Sequence, residues 1–492
     1  MKQQQLTFWQ MWNVSFGFLG VQMGFALQNA NVSRILSDLG ADLHSLSLFW
    51  LVAPIMGLII QPMVGAASDR TWNRLGRRRP YILGGAMVAT IAMAMMPNAP
   101  LFVSIIPPIL FGAIMLAMMD GSFNVAFQPF RSLVSDMVPE TQRNQGYSIQ
   151  SLLINIGAVL GSVFPFVLTN GIGLDNTSAK GEVAPSVIWA FYIGASAMLG
   201  SVIWTVIRTK EYSPEQYCEI KGITLESLQP KVEKSSLLKR VGDFVVLVKD
   251  MPSTMRQLAV VQFFSWLAFF IMWVYMPSAV AQYVWGIDVK WFDSHYLASV
   301  DVIPADIAAA KGAAGDWIGI ISAAYFLSAA LFSAVLSRLA DKLGRKAVYS
   351  LSLCAGGLGF LSFFFFNNPD VVSVNLWLVS VDVPKGAIGL FIPMIGVGMA
   401  WAGMIAMPYT LLAGALPANK TGVYMGIFNF TVAAPQIVAG IFAGLAVKYL
   451  FDNHAIYILA VSGCSLLMGA VAVYFVKEVT TSSSPQGFSA GH

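Results

Sequence analysis

Twelve separate apolar runs, each close to the roughly 20 residues that a helix needs to cross a bilayer, constrain this chain more than any other feature. They fall near residues 10–35, 46–68, 80–97, 101–125, 147–169 and 186–207, then 257–281, 315–337, 347–366, 386–409, 422–447 and 454–476. Charge is scarce to match: 11% of the 492 residues are charged and 57% apolar, where soluble proteins run at about 25% and about 45–50%. The fold class expected is an all-α membrane protein of twelve transmembrane helices in two six-helix bundles. The expected divisions are residues 1–208 and 257–480 for the bundles, 209–256 for a cytoplasmic linker and 481–492 for a tail.

Lysine and arginine are retained on the cytoplasmic side of short loops. With both termini inside, only Arg34, Lys180, Lys290, Lys311, Lys385 and Lys448 of the 29 basic residues fall outside. A multi-pass protein of a plasma membrane or bacterial inner membrane is expected, its first apolar run a retained helix because no small-residue cleavage site follows it. The net charge of +4 is scattered, so nucleic-acid binding has no electrostatic footprint. Cys218, Cys354 and Cys464 lie far apart and the four histidines are isolated, which indicates no disulfide framework, metal site or cofactor. The chain is expected to act as a monomer in the lipid bilayer.

Two segments between the runs have patterns of their own. In the linker, Ser213-Pro214-Glu215 reads as a helix start, and Leu237, Leu238, Val241, Phe244, Val245 and Val248 recur at the spacing of a surface helix. The outward segment from Gln282 to Asp316 carries five aspartates, Trp285, Trp291 and Phe292, and reads as a solvated loop with an interfacial aromatic anchor.

Two loops share one pattern. After the second run comes Ser68-Asp69-Arg70, then Leu75-Gly76-Arg77-Arg78-Arg79-Pro80; after the eighth comes Asp341-Lys342-Leu343-Gly344-Arg345-Lys346. Equivalent positions in two six-helix halves imply an internal repeat, hence pseudo-symmetric bundles. An acid facing arginines across a short loop can form a charge-assisted lock that holds in one conformation and breaks in another. The expected lock residues are Asp69, Arg70, Arg77, Arg78, Asp341, Lys342 and Arg345, with Arg131 and Asp136 joining the first loop.

These loops resemble the signature of the major facilitator superfamily, and other stretches are similar to one branch of it, the sucrose:proton symporters of the glycoside-pentoside-hexuronide group. Those stretches are Gly20-Val21-Gln22-Met23-Gly24-Phe25-Ala26-Leu27-Gln28, then Gln61-Pro62, the series Asp120, Asn124, Pro129, Arg131 and Asp136, and Gly426 to Asn429 followed by Pro435-Gln436. Two departures stand out. Ser337 replaces a glycine of the superfamily pattern, and Leu43 occupies the aligned place of an outward-loop histidine, with His44 adjacent, so no sugar contact is assigned to His44. The resemblance implies the major facilitator fold and transport of an α-glucosidic disaccharide such as sucrose or maltose.

Asp120 is the carboxylate expected inside a span, where translocon scales set its cost at about 2.5–3.5 kcal/mol. A carboxyl in such a place can load a proton from one side and release it to the other, so Asp120 is the expected proton-coupling residue. Asn124, one turn on, could hold the other end of the same ligand. Arg131, about 16 Å further along at 1.5 Å per residue, is too far to neutralise Asp120. A sugar needs amides, a carboxylate and flat aromatic faces between the halves. Gln22, Asn29, Gln262, Trp266, Trp273, Tyr325, Trp401, Asn429 and Gln436 supply them at intramembrane depth.

Gly414 to Thr421 nearly spells a phosphate-binding loop, but Asn419 replaces its second glycine and no strand precedes it; ATP-driven transport is not expected. The reading is therefore a secondary transporter, not an enzyme, carrying a sugar with a proton by alternating access. A sodium-coupled glycoside symporter of the same fold is the alternative. A membrane-embedded transferase, which needs a nucleophile and base or paired acids at one depth, and a non-transporting sensor are more remote.

Overall fold

The computed structural model describes residues 4–221, 251–376, 379–413 and 421–477. Among them are twelve helices of 17 residues or more. In the first half these are α1 (Gly17–Asp38), α2 (Val52–Arg70), α3 (Arg79–Met95), α4 (Pro108–Met137), α5 (Arg143–Val167) and α6 (Pro185–Arg208). In the second they are α7 (Ser253–Tyr283), α8 (Ala305–Leu343), α9 (Arg345–Ser362), α10 (Phe391–Ala413), α11 (Thr421–Tyr449) and α12 (Ala455–Tyr474). Eleven spans among the described residues are long and apolar enough to cross a membrane. The helix outside that set is α1, which carries Gln22, Gln28, Asn29, Asn31, Arg34 and Asp38. A spanning helix this polar is stable in lipid when its polar side chains turn into the protein, and Gln28 and Asn31 are buried.

Several boundaries differ from the apolar runs for local reasons. Residues before α1 form a separate short helix, Phe8–Ser15, started by a reciprocal cap between Thr7 and Gln10. Residues Met96–Phe102 form a 3-10 helix that includes Pro97 and Pro100, and with Pro107 as the residue before it α4 starts only at Pro108. The segment from Gln282 to Asp316 is not one solvated loop: α8 begins at Ala305, ten residues before the apolar run, and Trp291 and Phe292 are buried. In the linker, Ser213 accepts from the Gln216 N–H at 3.3 Å and Pro214–Lys221 is helical. The expected surface helix at 237–248 lies outside the described residues, as does the tail beyond residue 477. The all-α expectation misses one hairpin, Val371–Leu376 paired antiparallel with Val379–Pro384, where valines alternate with polar residues.

The halves meet through a restricted set of helices: α5 packs on α8, α2 on α11, and α1 on α7. Advancing each number by six exchanges the first two pairs and preserves the third, which is the contact signature of two pseudo-symmetric bundles. The α5–α8 and α2–α11 joints are close because glycines line them. A Cβ on Gly319 would run into the Ser162 carbonyl, and Cβ atoms on Gly440 and Gly444 would run into Leu51 and the His44 carbonyl. His44 thus lies in a joint between halves.

Four hydrogen bonds also join the halves at the end remote from the linker: Asn176 to the Gly312 carbonyl (2.7 Å), Lys180 to the Val300 carbonyl (2.7 Å), the Ser294 N–H to Asp42 (2.6 Å) and Asn170 to Asp316 (3.4 Å). Toward the linker end, the lines of α5 and α8 that continue from Ser162 and Gly319 present exposed Ser151, half-buried Asn155, and exposed Ser333 and Ser337. Polar faces of this kind line water rather than lipid. Among the described residues, hydrogen bonds between the halves lie at the far end, while the α5 and α8 faces toward the linker end are polar.

Replacing Gly319 with valine should prise α8 from α5 at an overpacking cost of about 1–3 kcal/mol, read as a lowered thermal midpoint in detergent and slower transport. Gly200→Val is the control: no heavy atom lies within 4 Å of a Cβ built there, and both readouts should stay near wild type.

Candidate functional site

Asp120 sits midway along α4 and is 2% exposed. Its Oδ1 accepts a hydrogen bond from Gln28 Nε2 at 2.7 Å. Gln28, on α1, is 0% exposed. Two acceptors are left over, Asp120 Oδ2 and Gln28 Oε1, both buried without a hydrogen-bond partner. An ionised acid and an amide oxygen cannot satisfy each other, whereas a protonated carboxyl is also a donor. One proton on Asp120 therefore supplies the kind of group this pair lacks, and losing it restores a buried charge.

Asn124 is on the same face of α4 but turns elsewhere. Its amide donates to the Asp120 carbonyl at 2.8 Å, and its Oδ1 accepts from Gln61 of α2 at 2.6 Å. Asn124 is thus engaged in tying α4 to α2. Gln28 and Gln61 both lie in the motifs read from sequence without being singled out. The signal for Gln28 was its place at the end of the first-helix motif, on a helix whose polar residues need partners.

The remaining candidates divide into groups. Asn29, Trp273 and Tyr325 line one small cavity with Ala26, Ser162 and Ser322, between α1, α5, α7 and α8. Trp273 also belongs to a tryptophan cluster in the second half, with ring centroids 6.4 Å from Trp266 and 5.7 Å from Trp401, and 6.0 Å between the latter two; Phe269 closes it at 5.2 Å from Trp401. The indole N–H groups of Trp266 and Trp273 and the amide oxygen of Gln262 are buried without partners, so donors and an acceptor stand available beside flat apolar faces. Gln22 is half-buried. Gln436 donates to the carbonyl of Val432 in its own helix at 3.0 Å. Asn429 lies on α11, its side chain outside what is described. Asp120 is not among the residues lining the Asn29 cavity: Gln28 and Asn29 are neighbours in sequence and point to different partners.

A second acid is buried within a spanning helix. Asp316 is 4% exposed on α8, where the apolar pattern had placed it at a loop end. It lies in the far-end seal beside Arg34, and Arg34 is six residues, about 9 Å along α1, from Gln28.

At the linker end the first basic loop forms a knot. Arg77 and Arg78 both reach Asp69 Oδ1, at 2.6 and 2.5 Å; Arg78 also reaches Asp136 at 3.3 Å and donates to Ser68 at 2.7 Å. Gly76 holds a left-handed φ of 111° in the turn, and a Cβ there would press on Glu211 at 2.8 Å. Glu211, from the start of the linker, was not foreseen. Its carboxylate accepts from the backbone N–H groups of Arg77, Arg78 and Arg79 at 2.8–3.0 Å, where α3 begins. An anion on those unsatisfied donors is a strong helix start. Tyr217 of the linker lies under the Arg77 guanidinium at 4.8 Å.

Other expected lock residues stand apart. Arg131 is exposed, while Asp69 meets Arg77 and Arg78, and Asp136 meets Arg78 and the Tyr217 hydroxyl; Arg70 is exposed as well. In the second loop Asp341, Lys342 and Arg345 are all exposed, Arg345 donating to the Thr410 carbonyl at 3.3 Å. The repeated sequence is a knot in one half and an open loop in the other.

Residues 35–232 match the family described as MFS/sugar transport protein, and residues 294–491 match Major Facilitator Superfamily. The chain is 23% identical to the sucrose transport protein SUC4 of Arabidopsis thaliana, over 95% of this chain and 89% of that one. It is 27% identical to the proton-associated sugar transporter A of Rattus norvegicus, over 42% of this chain and only 28% of the rat protein's length. A solved D-xylose-proton symporter has the same fold at a TM-score of 0.64, with 13% identity over 96% of this chain and 99% of that one.

Glu211→Gln should weaken the α3 start by about 1–2 kcal/mol, since an amide lacks the charge that the helix dipole favours. The check is a lower thermal midpoint than for Glu182→Gln, a control at an exposed position.

Proposed function

This chain belongs to the major facilitator superfamily, and we propose that it is a proton-coupled symporter of an α-glucosidic disaccharide of the sucrose or maltose type. The observation that carries the proposal is the buried Asp120–Gln28 pair, which holds one carboxyl in a place where gaining a proton completes its hydrogen bonding and losing it does not. The sugar assignment draws on the sequence motifs and on relatives whose names specify sucrose and a proton-associated sugar.

The tryptophan cluster and the Asn29–Tyr325 cavity form the sugar side of the site. Indole faces cover the C–H faces of a pyranose ring, while the unpartnered indole N–H groups and Gln262 oxygen meet hydroxyls. The proton is bound in the first half and most of the aromatic surface lies in the second, so a loaded site draws the halves together. The linker end faces the cytoplasm, with both termini inside, in a plasma membrane or bacterial inner membrane; the protein works as a monomer. We read the far-end contacts as the closed outer side of an inward-facing state. The knot of Asp69, Arg77, Arg78, Asp136 and Glu211 is the cytoplasmic lock, held within its own half while the cleft is open.

Asp120→Asn should abolish sucrose accumulation driven by a pH gradient in proteoliposomes, by 100-fold or more, while leaving sucrose exchange at equal pH measurable. Uphill accumulation by the variant refutes the role of Asp120. Accumulation by the wild type that requires sodium and ignores pH refutes proton coupling.

A further inference from the structure

Gln28 and Asn29 are consecutive on α1, and successive side chains on a helix point to different sides. Gln28 Nε2 donates to Asp120 Oδ1 at 2.7 Å inside the first half. Asn29 lines the cavity between the halves with Ser162, Trp273 and Tyr325. In that cavity the Ser162 hydroxyl and the Trp273 indole N–H are buried without hydrogen-bond partners, polar groups placed to meet the hydroxyls of a ligand. A single residue step along α1 therefore separates the proton pair from the sugar cavity, which Asp120 itself does not line.

The pair is a carboxyl and a primary amide. When the acid carries its proton, two such groups join through two bonds, amide N–H to one acid oxygen and acid O–H to the amide oxygen, and close a ring. The first bond is present, and the two oxygens that the second needs, Asp120 Oδ2 and Gln28 Oε1, are buried without partners. A proton on Oδ2 makes that oxygen a donor to Oε1; when the proton leaves to water, two acceptors remain and the amide is held by one bond. Close packing pins α1 up to this turn: a Cβ on Gly157 would meet the Leu19 carbonyl, and one on Gly161 the Met23 carbonyl and Ala26. The turn with Gln28 and Asn29 follows directly, so the bonding at Gln28 sets its rotation.

The other titratable groups on α4 and on the elements packed against it stand toward helix ends. On α4 itself these are Arg131 and Asp136, the nearer about 16 Å along the helix from Asp120. On α2, Met56 and Ile60 face the residue next to Asp120, while Asp69 and Arg70 end the helix. Arg79 and Tyr81 begin α3, and Arg143 and Tyr147 lie in the first turns of α5. Arg34 and Asp38 of α1 line a separate cavity further out with Lys311, and Pro277 borders both that cavity and the one lined by Asn29. Among the described residues, the side chain that the Asp120 carboxyl bonds is Gln28.

We propose that Gln28 is the positioning residue that links the two sites: a proton on Asp120 completes its bonding, the turn of α1 sets, and Asn29 is presented to the sugar. The inference rests on the proton-symport reading and adds that the proton acts on the sugar through α1 rather than through a contact between the sugar and Asp120. Linkage between binding sites is reciprocal, so a sugar held by Asn29 tightens the proton by the same factor. Each ligand then favours the other without touching it.

A thermal-shift titration of sucrose or maltose, whichever the wild type binds, into the purified full chain gives a Kd at each pH with no gradient present. The wild type should bind about 10-fold more tightly at about pH 5 than at about pH 8. Gln28→Met, of similar length but without the amide, should differ by less than about 2-fold between the two. Gln28→Glu, which again shares a proton with Asp120, should recover the dependence. Asn29→Ala should bind weakly and equally at both, and adding Gln28→Met to it should cost nothing further, as expected for residues acting in series. A Gln28→Met or Asn29→Ala chain that keeps the wild-type pH dependence overturns the inference and leaves proton coupling standing, and a Gln28→Glu chain that stays flat counts against the inference in the same way. Wild-type binding that ignores pH overturns the coupling reading and this inference together. If Gln28→Met does not fold, Asn29→Ala decides alone.

Discussion

A polar side chain inside a membrane protein must find its partner within the protein, because lipid offers none. Most of this structure follows from how few such groups there are and where they are put. Asp120 finds Gln28; Asn124 finds Gln61; Arg34 finds Asn176. The first two pairings fix the rotation of one helix against another and the third fixes α1 against the 170s segment, so the polar content of α1 constrains it on several sides. It touches α4 through Gln28, the 170s segment through Arg34, and the second half through its contacts with α7 and α8.

The two ends of the molecule spend their charge differently. At the linker end, Asp69, Asp136 and Glu211 hold three consecutive arginines, all within the first half and its adjoining linker. Such a knot stiffens one body without joining it to the other. At the far end, hydrogen bonds and charges cross between halves, close to the glycine-lined joints that bring α5 to α8 and α11 to the start of α2. Rigidity within a half and a breakable contact between halves are both needed for two bodies to rock about a fixed site.

The number of helices and their grouping in halves could be read from apolar runs because lipid enforces a length and a composition on each span. Asp69, Arg77 and Arg78 were legible for another reason: loop charges at a helix end have few places to go. What the pattern could not show depended on contacts distant in sequence. Glu211 sits 132 or more residues from the helix it starts, and nothing local marks it. Gln28 and Asn29 are equally polar, yet a helix turns them about 100° apart, and only packing decides which meets Asp120. Asp316 was misplaced because the stretch from Ala305 is rich in alanine and glycine with Lys311 within it, polar enough on average to end a run while still helical. Arg131 was drawn toward the knot by spacing along α4; Arg78 holds that position because it starts a helix directly beside Asp69 and Asp136.

Pro277 borders both the central cavity and the charged one above it, so little protein separates the two. Were the linker-end side hydrated, as the proposed transport requires, a membrane voltage would fall across the thin remaining barrier rather than across the whole bilayer. A unit charge carried through it then exchanges about 2.3 kcal/mol with every 100 mV. Arg34 with Asp38 and Lys311 with Asp316 are each neutral in sum, so a movement of either pair with its own half would carry almost no electrical cost, while a lone proton on Asp120 would sense the drop.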